Sequence, residues 1–198
     1  LTVPANVRAH MKGAHMDAAD MGSDLAQVLI TEEQIAQRLD EMAAQIDADY
    51  EGRDLLLVGV LKGAVYVMAD LSRRLHRSAA MDWMAVSSYG SGTKSSGVVR
   101  ILKDLGTDLT GRHVLVVEDI IDSGTTMHYL KQMLMGRHPK SIRICAFLSK
   151  PSRRVAPVKI DYLGYEVPDE FLVGYGLDYA EKYRNLPYIG VLRRSVYE

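Results

Sequence analysis

The apolar positions of this chain switch repeatedly between two rhythms. After Thr31, Ile35, Leu39, Met42 and Ile46 recur three and four residues apart, the spacing that lines one face of a helix. Thr31 with Gln34 three positions on makes a reciprocal cap, so an amphipathic helix is predicted over 31–50. The pattern then changes to an unbroken apolar run, LLLVGVL at 55–61. A run without alternation suits a strand covered on both faces, as in a parallel sheet. Lys62 and Gly63 interrupt it, and a helical pattern follows over 64–75. Strands are expected at 81–86 and 98–102, a turn at 106–111, and a strand from Val114 that ends in an acidic turn. A helix to about 135 follows, then a strand at 141–148 and short strands at 159–165, 171–175 and 188–192. Ordered structure is expected to begin near Thr31. Residues 1–24 carry no sustained pattern and read as a flexible lead-in, leaving 25–198 as a single domain.

Strands alternating with helices predict an α/β fold, a central mainly parallel sheet flanked by helices. Its site belongs at the carboxyl ends of the strands. The N-terminal helix and the C-terminal segments are expected to form a small hood. Residues 87–97, SSYGSGTKSSG, are too small and polar to build a core. Tyr89 among them points to a mobile flap that closes over ligand, with an ordinary exposed hairpin as the alternative.

Charge changes the picture little: 24 basic residues face 25 acidic ones, a net charge of −1. Nucleic-acid binding usually needs a basic excess or stripe, and the doublets at Arg73, Arg153 and Arg193 are scattered. The single cysteine, Cys145, lies in an apolar run and reads as a small core residue. One cysteine makes no internal disulfide, which favours a reducing compartment. No apolar run approaches the roughly 20 residues of a membrane span, and the first 25 residues lack a signal-peptide core. A soluble, cytoplasmic protein is expected.

Candidate chemistry is concentrated in VLVVEDIIDSGTT at 114–126. A strand, three acids and a small-residue loop run into a helix N-terminus, whose free N–H groups suit phosphate. Gly124 lets the backbone approach a ligand, and Ser123, Thr125 and Thr126 add hydroxyl donors. Plain helix capping by these residues is the alternative. Glu118 and Asp119 repel each other, so they need a partner such as sugar hydroxyls or a hydrated magnesium ion. Gly90-Ser-Gly-Thr-Lys-Ser95 has the flavour of a nucleotide-binding P-loop but neither its residue order nor a following helix.

Four motifs in order resemble one known family, the hypoxanthine-guanine phosphoribosyltransferases of the type I phosphoribosyltransferase class. They are Leu61-Lys62-Gly63, Ser87-Ser88-Tyr89-Gly90, residues 117–126, and VPDEFLVGYGLD at 167–178. The resemblance spans roughly 31–195 and implies transfer of ribose 5-phosphate from phosphoribosyl pyrophosphate (PRPP) to N9 of a 6-oxopurine, hypoxanthine or guanine. It implies Mg²⁺ as cofactor. Residues 122–126 would hold the 5-phosphate, Glu118 and Asp119 the ribose hydroxyls and metal, and Asp122 would handle the purine proton at N7. Lys150 would donate to O6, Phe171 would stack on the base, and the Leu172 backbone would meet the ring edge. Asp178 would lie in the base site and hold a second metal on pyrophosphate. Arg184 and the loop at Leu61, Lys62 and Gly63, with a non-proline cis peptide, would bind pyrophosphate. Ser88 and Tyr89 would belong to the flap. The resemblance also implies a homodimer or homotetramer with small-molecule partners only. A PRPP-sensing regulator of the same fold that binds nucleic acid is the competing reading.

Overall fold

The structure is a computed structural model that describes residues 23–88 and 99–198. Residues 1–22 of the expected lead-in at 1–24 and Tyr89 of the flap lie outside the described residues. In chain order the elements are β1 (Leu25–Ile30), α1 (Glu32–Asp49), β2 (Leu55–Leu61), α2 (Val65–Arg74), β3 (Ala80–Ser88) and β4 (Val99–Lys103). They continue with β5 (His113–Ile121), α3 (Thr125–Met135), β6 (Ser141–Ser149), a 3₁₀ turn (Pro151–Arg153), β7 (Tyr162–Glu166), β8 (Leu172–Val173), β9 (Ile189–Leu192) and the short α4 (Arg194–Tyr197).

Six strands form the main sheet in the order β4-β3-β2-β5-β6-β7. All neighbours are parallel except β3 and β4. The apolar runs explain the sandwich. Leu55 and Leu57 of β2, Leu115 and Val117 of β5, and Cys145 and Phe147 of β6 point into one core with α1 and α2. The residues between them, Leu56 and Val58, Val114 and Val116, Ile144 and Ala146, pack against α3 on the other side. Period-two alternation across two covered faces therefore reads as continuous hydrophobicity in sequence. Cys145 is fully buried there. Among the described residues no helix is long and apolar enough to cross a membrane.

The capping box at Thr31 and Gln34 is present in both directions. The expected start of order near Thr31 is too late, because β1 precedes it. This strand pairs antiparallel with β9, and its register shifts between Leu25 and Gln27 and again between Val28 and Ile30. Two irregularities in six residues erase the alternation that marks a strand. β1, β9 and β8 form a separate three-stranded sheet, which is the hood. α1 is not part of it; its apolar face belongs to the main core.

Two predicted strands are shorter than expected. Residues 159–161 do not join β7, because Asp161 turns its carboxylate and its own N–H onto Ile144. β8 stops at Val173 because Gly174 and Tyr175 take φ of 97° and 48°, outside the extended range.

Candidate active site

The carboxyl ends of β2, β5 and β6 stand side by side, and the predicted site residues gather above them. Glu118 and Asp119 do not form a turn, which begins only at Asp122. β5 continues through Glu118 and Asp119 to Ile121, with Glu118 opposite Ala146 and Ile120 opposite Leu148 of β6. A carboxylate at a strand end is held by sheet hydrogen bonds on its backbone and so has little freedom to move. Glu118 Oε2 is buried without a hydrogen-bond partner. Burial, reinforced by the neighbouring Asp119 charge, holds the Glu118 carboxyl well above its ordinary range. Burial also pushes Asp119 up to about 6, against the N–H of Ile120 that donates to its Oδ1. Two acids that resist ionisation at a strand end await a cation or hydroxyl donors.

The small-residue loop follows directly. Gly124 is the residue before the helix, with φ of 80°, and no side chain caps it. The capping alternative therefore fails at that position. Only Ser123 reaches in, its Oγ 3.4 Å from the Thr125 N–H. The first-turn N–H groups have no intrahelical partners by geometry, and they open toward a recess of about 140 Å³. That recess is lined by Glu118, Ile120, Ile121, Asp122, Ser123, Gly124, Thr126 and Met127. A Cβ at Gly124 would stand 2.9 Å from the Ala156 carbonyl, so both space and backbone require glycine. Residues 154–156 brace the loop from behind. Val155 and Ala156 donate N–H groups to Ser123 O at 2.9 and 3.0 Å. Arg154 donates to Ser149 Oγ at 2.6 Å and to Ile121 O at 3.4 Å.

A second recess, about 330 Å³, adjoins the first and shares Ile120 and Asp122 with it. Its other walls include Asp119, Lys150, Arg153, Phe171, Leu172, Leu177 and Asp178. Lys150, only 7% exposed, is no surface lysine. Its Nζ donates to Glu170 O at 2.7 Å and lies 3.9 Å from Asp169 Oδ1. Phe171 stacks on Tyr197 at 4.8 Å between ring centroids and meets Tyr179 edge-on.

The loop after β2 closes the third side. Leu61–Lys62 is a cis peptide bond, as the family resemblance implies. Gly63 lies against Asp119, where a Cβ would fall 1.6 Å from Oδ2. Asp178 Oδ1 pairs with Arg184 at 2.8 Å, and Arg184 Nη1 donates to Gly176 O at 2.7 Å. Lys62 Nζ is 3.0 Å from Glu181 Oε1, and Arg184 Nη2 is 3.4 Å from Glu181 Oε2. Ser88 ends β3, paired with Val99.

Among the described residues no three His, Cys, Asp or Glu side chains are grouped to hold a metal ion. The donors offered are all carboxylates, Glu118 with a free buried oxygen. That fits Mg²⁺, which needs only one or two carboxylates when substrate oxygens and water complete its shell.

Sequence reasoning missed three residues here. In the sequence Arg153 reads only as half of a scattered doublet, yet its Nε comes 3.0 Å from Asp122 Oδ1 without hydrogen-bond alignment, and its Nη1 reaches Asp169. Arg154 and Glu181 were likewise passed over as site residues. Their only sequence signal was charge next to a motif, which is common on any surface.

The family defined by the phosphoribosyl transferase domain matches residues 28–180, a span that contains both recesses. The hypoxanthine-guanine phosphoribosyltransferase of Bacillus subtilis (strain 168) is 53% identical over 178 residues, covering 90% of this chain and 99% of that protein. The enzyme of the same name from Mycobacterium avium is 51% identical over 181 residues, covering 88% and 89%. The crystal structure of a hypoxanthine phosphoribosyltransferase from Staphylococcus aureus superposes with a TM-score of 0.88 at 46% identity, covering 92% of this chain and 99% of that one. The chain belongs to the hypoxanthine-guanine phosphoribosyltransferase family.

Proposed function

We propose that this enzyme transfers the 5-phosphoribosyl group of PRPP to N9 of hypoxanthine or guanine, forming IMP or GMP and releasing pyrophosphate, a reaction of purine salvage. The observation that carries the reading is the junction of the two recesses at Ile120 and Asp122. A phosphate-sized cradle of N–H groups opens beside a recess walled by an aromatic ring and a buried lysine. A ribose phosphate and a planar base bound in these places bring C1′ and N9 together.

The residues divide the work by their chemistry. Ser123, Gly124, Thr125 and Thr126 hold the 5-phosphate by N–H and hydroxyl donors. Glu118 and Asp119 accept from the ribose hydroxyls. Phe171 offers a ring for the base, with Tyr197 behind it, and Leu172 meets the ring edge through its backbone. Lys150 donates to the purine O6, the exocyclic group an adenine lacks. As the N9–C1′ bond forms and the bond from C1′ to pyrophosphate oxygen breaks, the purine gives up a proton, which Asp122 accepts at N7. Arg184, Lys62, Leu61 and Gly63 bind the departing pyrophosphate, the guanidinium fork matching phosphate oxygens. Glu118, Asp119 and Asp178 would hold Mg²⁺, which when bound supplies positive charge to the pyrophosphate oxygens. Ser88 and Tyr89 belong to a flap that excludes water from the cationic sugar.

A homodimer or homotetramer in a reducing, cytoplasmic setting fits this reading, with residues 25–198 as one domain. The direct test is pyrophosphate release from PRPP and Mg²⁺ with hypoxanthine, guanine, xanthine or adenine. Turnover with hypoxanthine or guanine and little with adenine is expected. Turnover with adenine alone, or none with any purine, overturns the reading.

A further inference from the structure

The backbone that carries Glu181 is built against its residues' preferences. Ala180, Glu181 and Tyr183 all have positive φ, 50°, 64° and 73°. Non-glycine residues held there are strained and persist only where the surroundings over-determine them. The determinants are visible. The Glu181 N–H donates to Asp178 Oδ2 at 2.9 Å, and Tyr179 and Lys182 bridge each other. The result is a tight loop that sets the Glu181 carboxylate between two cations from distant parts of the chain. One oxygen is 3.0 Å from Lys62 Nζ, and the other is 3.4 Å from Arg184 Nη2. The Lys62 ammonium holds the Glu181 carboxyl below its ordinary range, so it is ionised throughout the working range of pH.

Lys62 and Arg184 are the two cations assigned above to pyrophosphate. A carboxylate with one oxygen on each cation reproduces part of the charge pattern of a phosphate. We propose that Glu181 is the internal counter-anion of the leaving-group site, holding Lys62 and Arg184 in the free enzyme and yielding them to pyrophosphate. The proposal rests on the assignment of those two cations. Pyrophosphate then binds by exchange rather than by simple addition, so it is held less tightly than by the bare cation pair. The return of Glu181 closes the cations as the product leaves. Arg184 stays oriented in either state, because its Nη1 donates to the Gly176 carbonyl at 2.7 Å independently of Glu181.

The sign of the effect separates this role from a structural one. If Glu181 merely positioned the cations, removing its charge would weaken pyrophosphate binding; if it competes for them, removal strengthens it. The experiment measures product inhibition by inorganic pyrophosphate, at fixed magnesium, on the full chain in its wild-type, Glu181→Gln and Arg184→Gln forms. Glutamine keeps the shape at an exposed position, so folding is preserved. Glu181→Gln is expected to lower the inhibition constant about three- to tenfold, the scale of losing exposed ion pairs. The KM for hypoxanthine should stay unchanged, and the gap from wild type should shrink at high salt as exposed charges are screened. An unchanged or raised constant in Glu181→Gln, with a raised constant in Arg184→Gln, overturns the counter-anion role alone. An Arg184→Gln enzyme with wild-type inhibition overturns the pyrophosphate assignment and the counter-anion role together.

Discussion

The two recesses share a wall but are built in opposite ways. The phosphate recess comes from one stretch of chain, with every lining residue between Glu118 and Met127. Backbone N–H groups and small side chains make it, and one glycine gives it its shape. The base recess draws on four separated stretches, at 119–122, 150–153, 171–172 and 177–178. Side chains make it, and their ends are set by packing from different elements. On the proposed assignment, local geometry would serve the part of the substrate that never changes, the phosphate, and assembled geometry the part that has to be selected.

The largest effect should come where the recesses meet. Asp122→Asn removes the proton acceptor while keeping shape and is expected to lower kcat by about 10²–10⁴-fold, with the KM for PRPP little changed. Steady-state kinetics check this, and undiminished turnover would take Asp122 out of the chemistry. Next comes the base recess alone. Lys150→Gln gives up a charged hydrogen bond to O6, a loss of about 1.5–3 kcal/mol. It should reduce kcat/KM for hypoxanthine by about 10–100-fold and narrow the preference over adenine. If both enzymes discriminate equally, selection does not reside in Lys150.

A smaller effect is expected in the phosphate recess. Gly124→Ala forces a Cβ against the Ala156 carbonyl and onto a left-handed backbone. The KM for PRPP should rise about three- to tenfold while the KM for purine holds. A rise in both would mean that the recesses are mechanically one.

The smallest effect is on stability. Folding raises the Asp119 carboxyl from 3.8 to about 6. The folded state therefore favours the protonated form. That contribution is fully present below pH 3.8 and is lost as pH rises through 6. Asp119→Asn should accordingly melt about 2–6 °C higher than wild type at pH 8. The gain should fade as pH drops through 6 and disappear near pH 4. Thermal melts of the ligand-free protein across that range test it, and a gain that grows on acidification would contradict the assigned cause.

The same division governs what could be read from the chain. The helix at α1, the strands β2, β5 and β6 and the small-residue loop before α3 were legible because each is coded within one window, by period, cap or small-residue run. β1 was not, because its two register shifts break the alternation. The sequence suggests a turn at Glu118 and Asp119, but β6 pairs along this stretch and extends the strand to Ile121. That pairing is a neighbour's decision. Nothing local marks Lys150 as buried, so only a family resemblance supplies its role, and Arg153, Arg154 and Glu181 offer no more than charge next to a motif.

By itself the sequence determined the alternating α/β plan, the parallel core and the glycine-bearing loop before α3, since apolar period and backbone permissiveness act over a few residues. Only the tertiary structure decided that Lys150 is buried, that Arg153 reaches Asp122, and that Glu181 lies between Lys62 and Arg184. Those are meetings of groups up to 119 positions apart. Charge and packing act through space, and a linear pattern does not record which distant side chains the fold brings within their range.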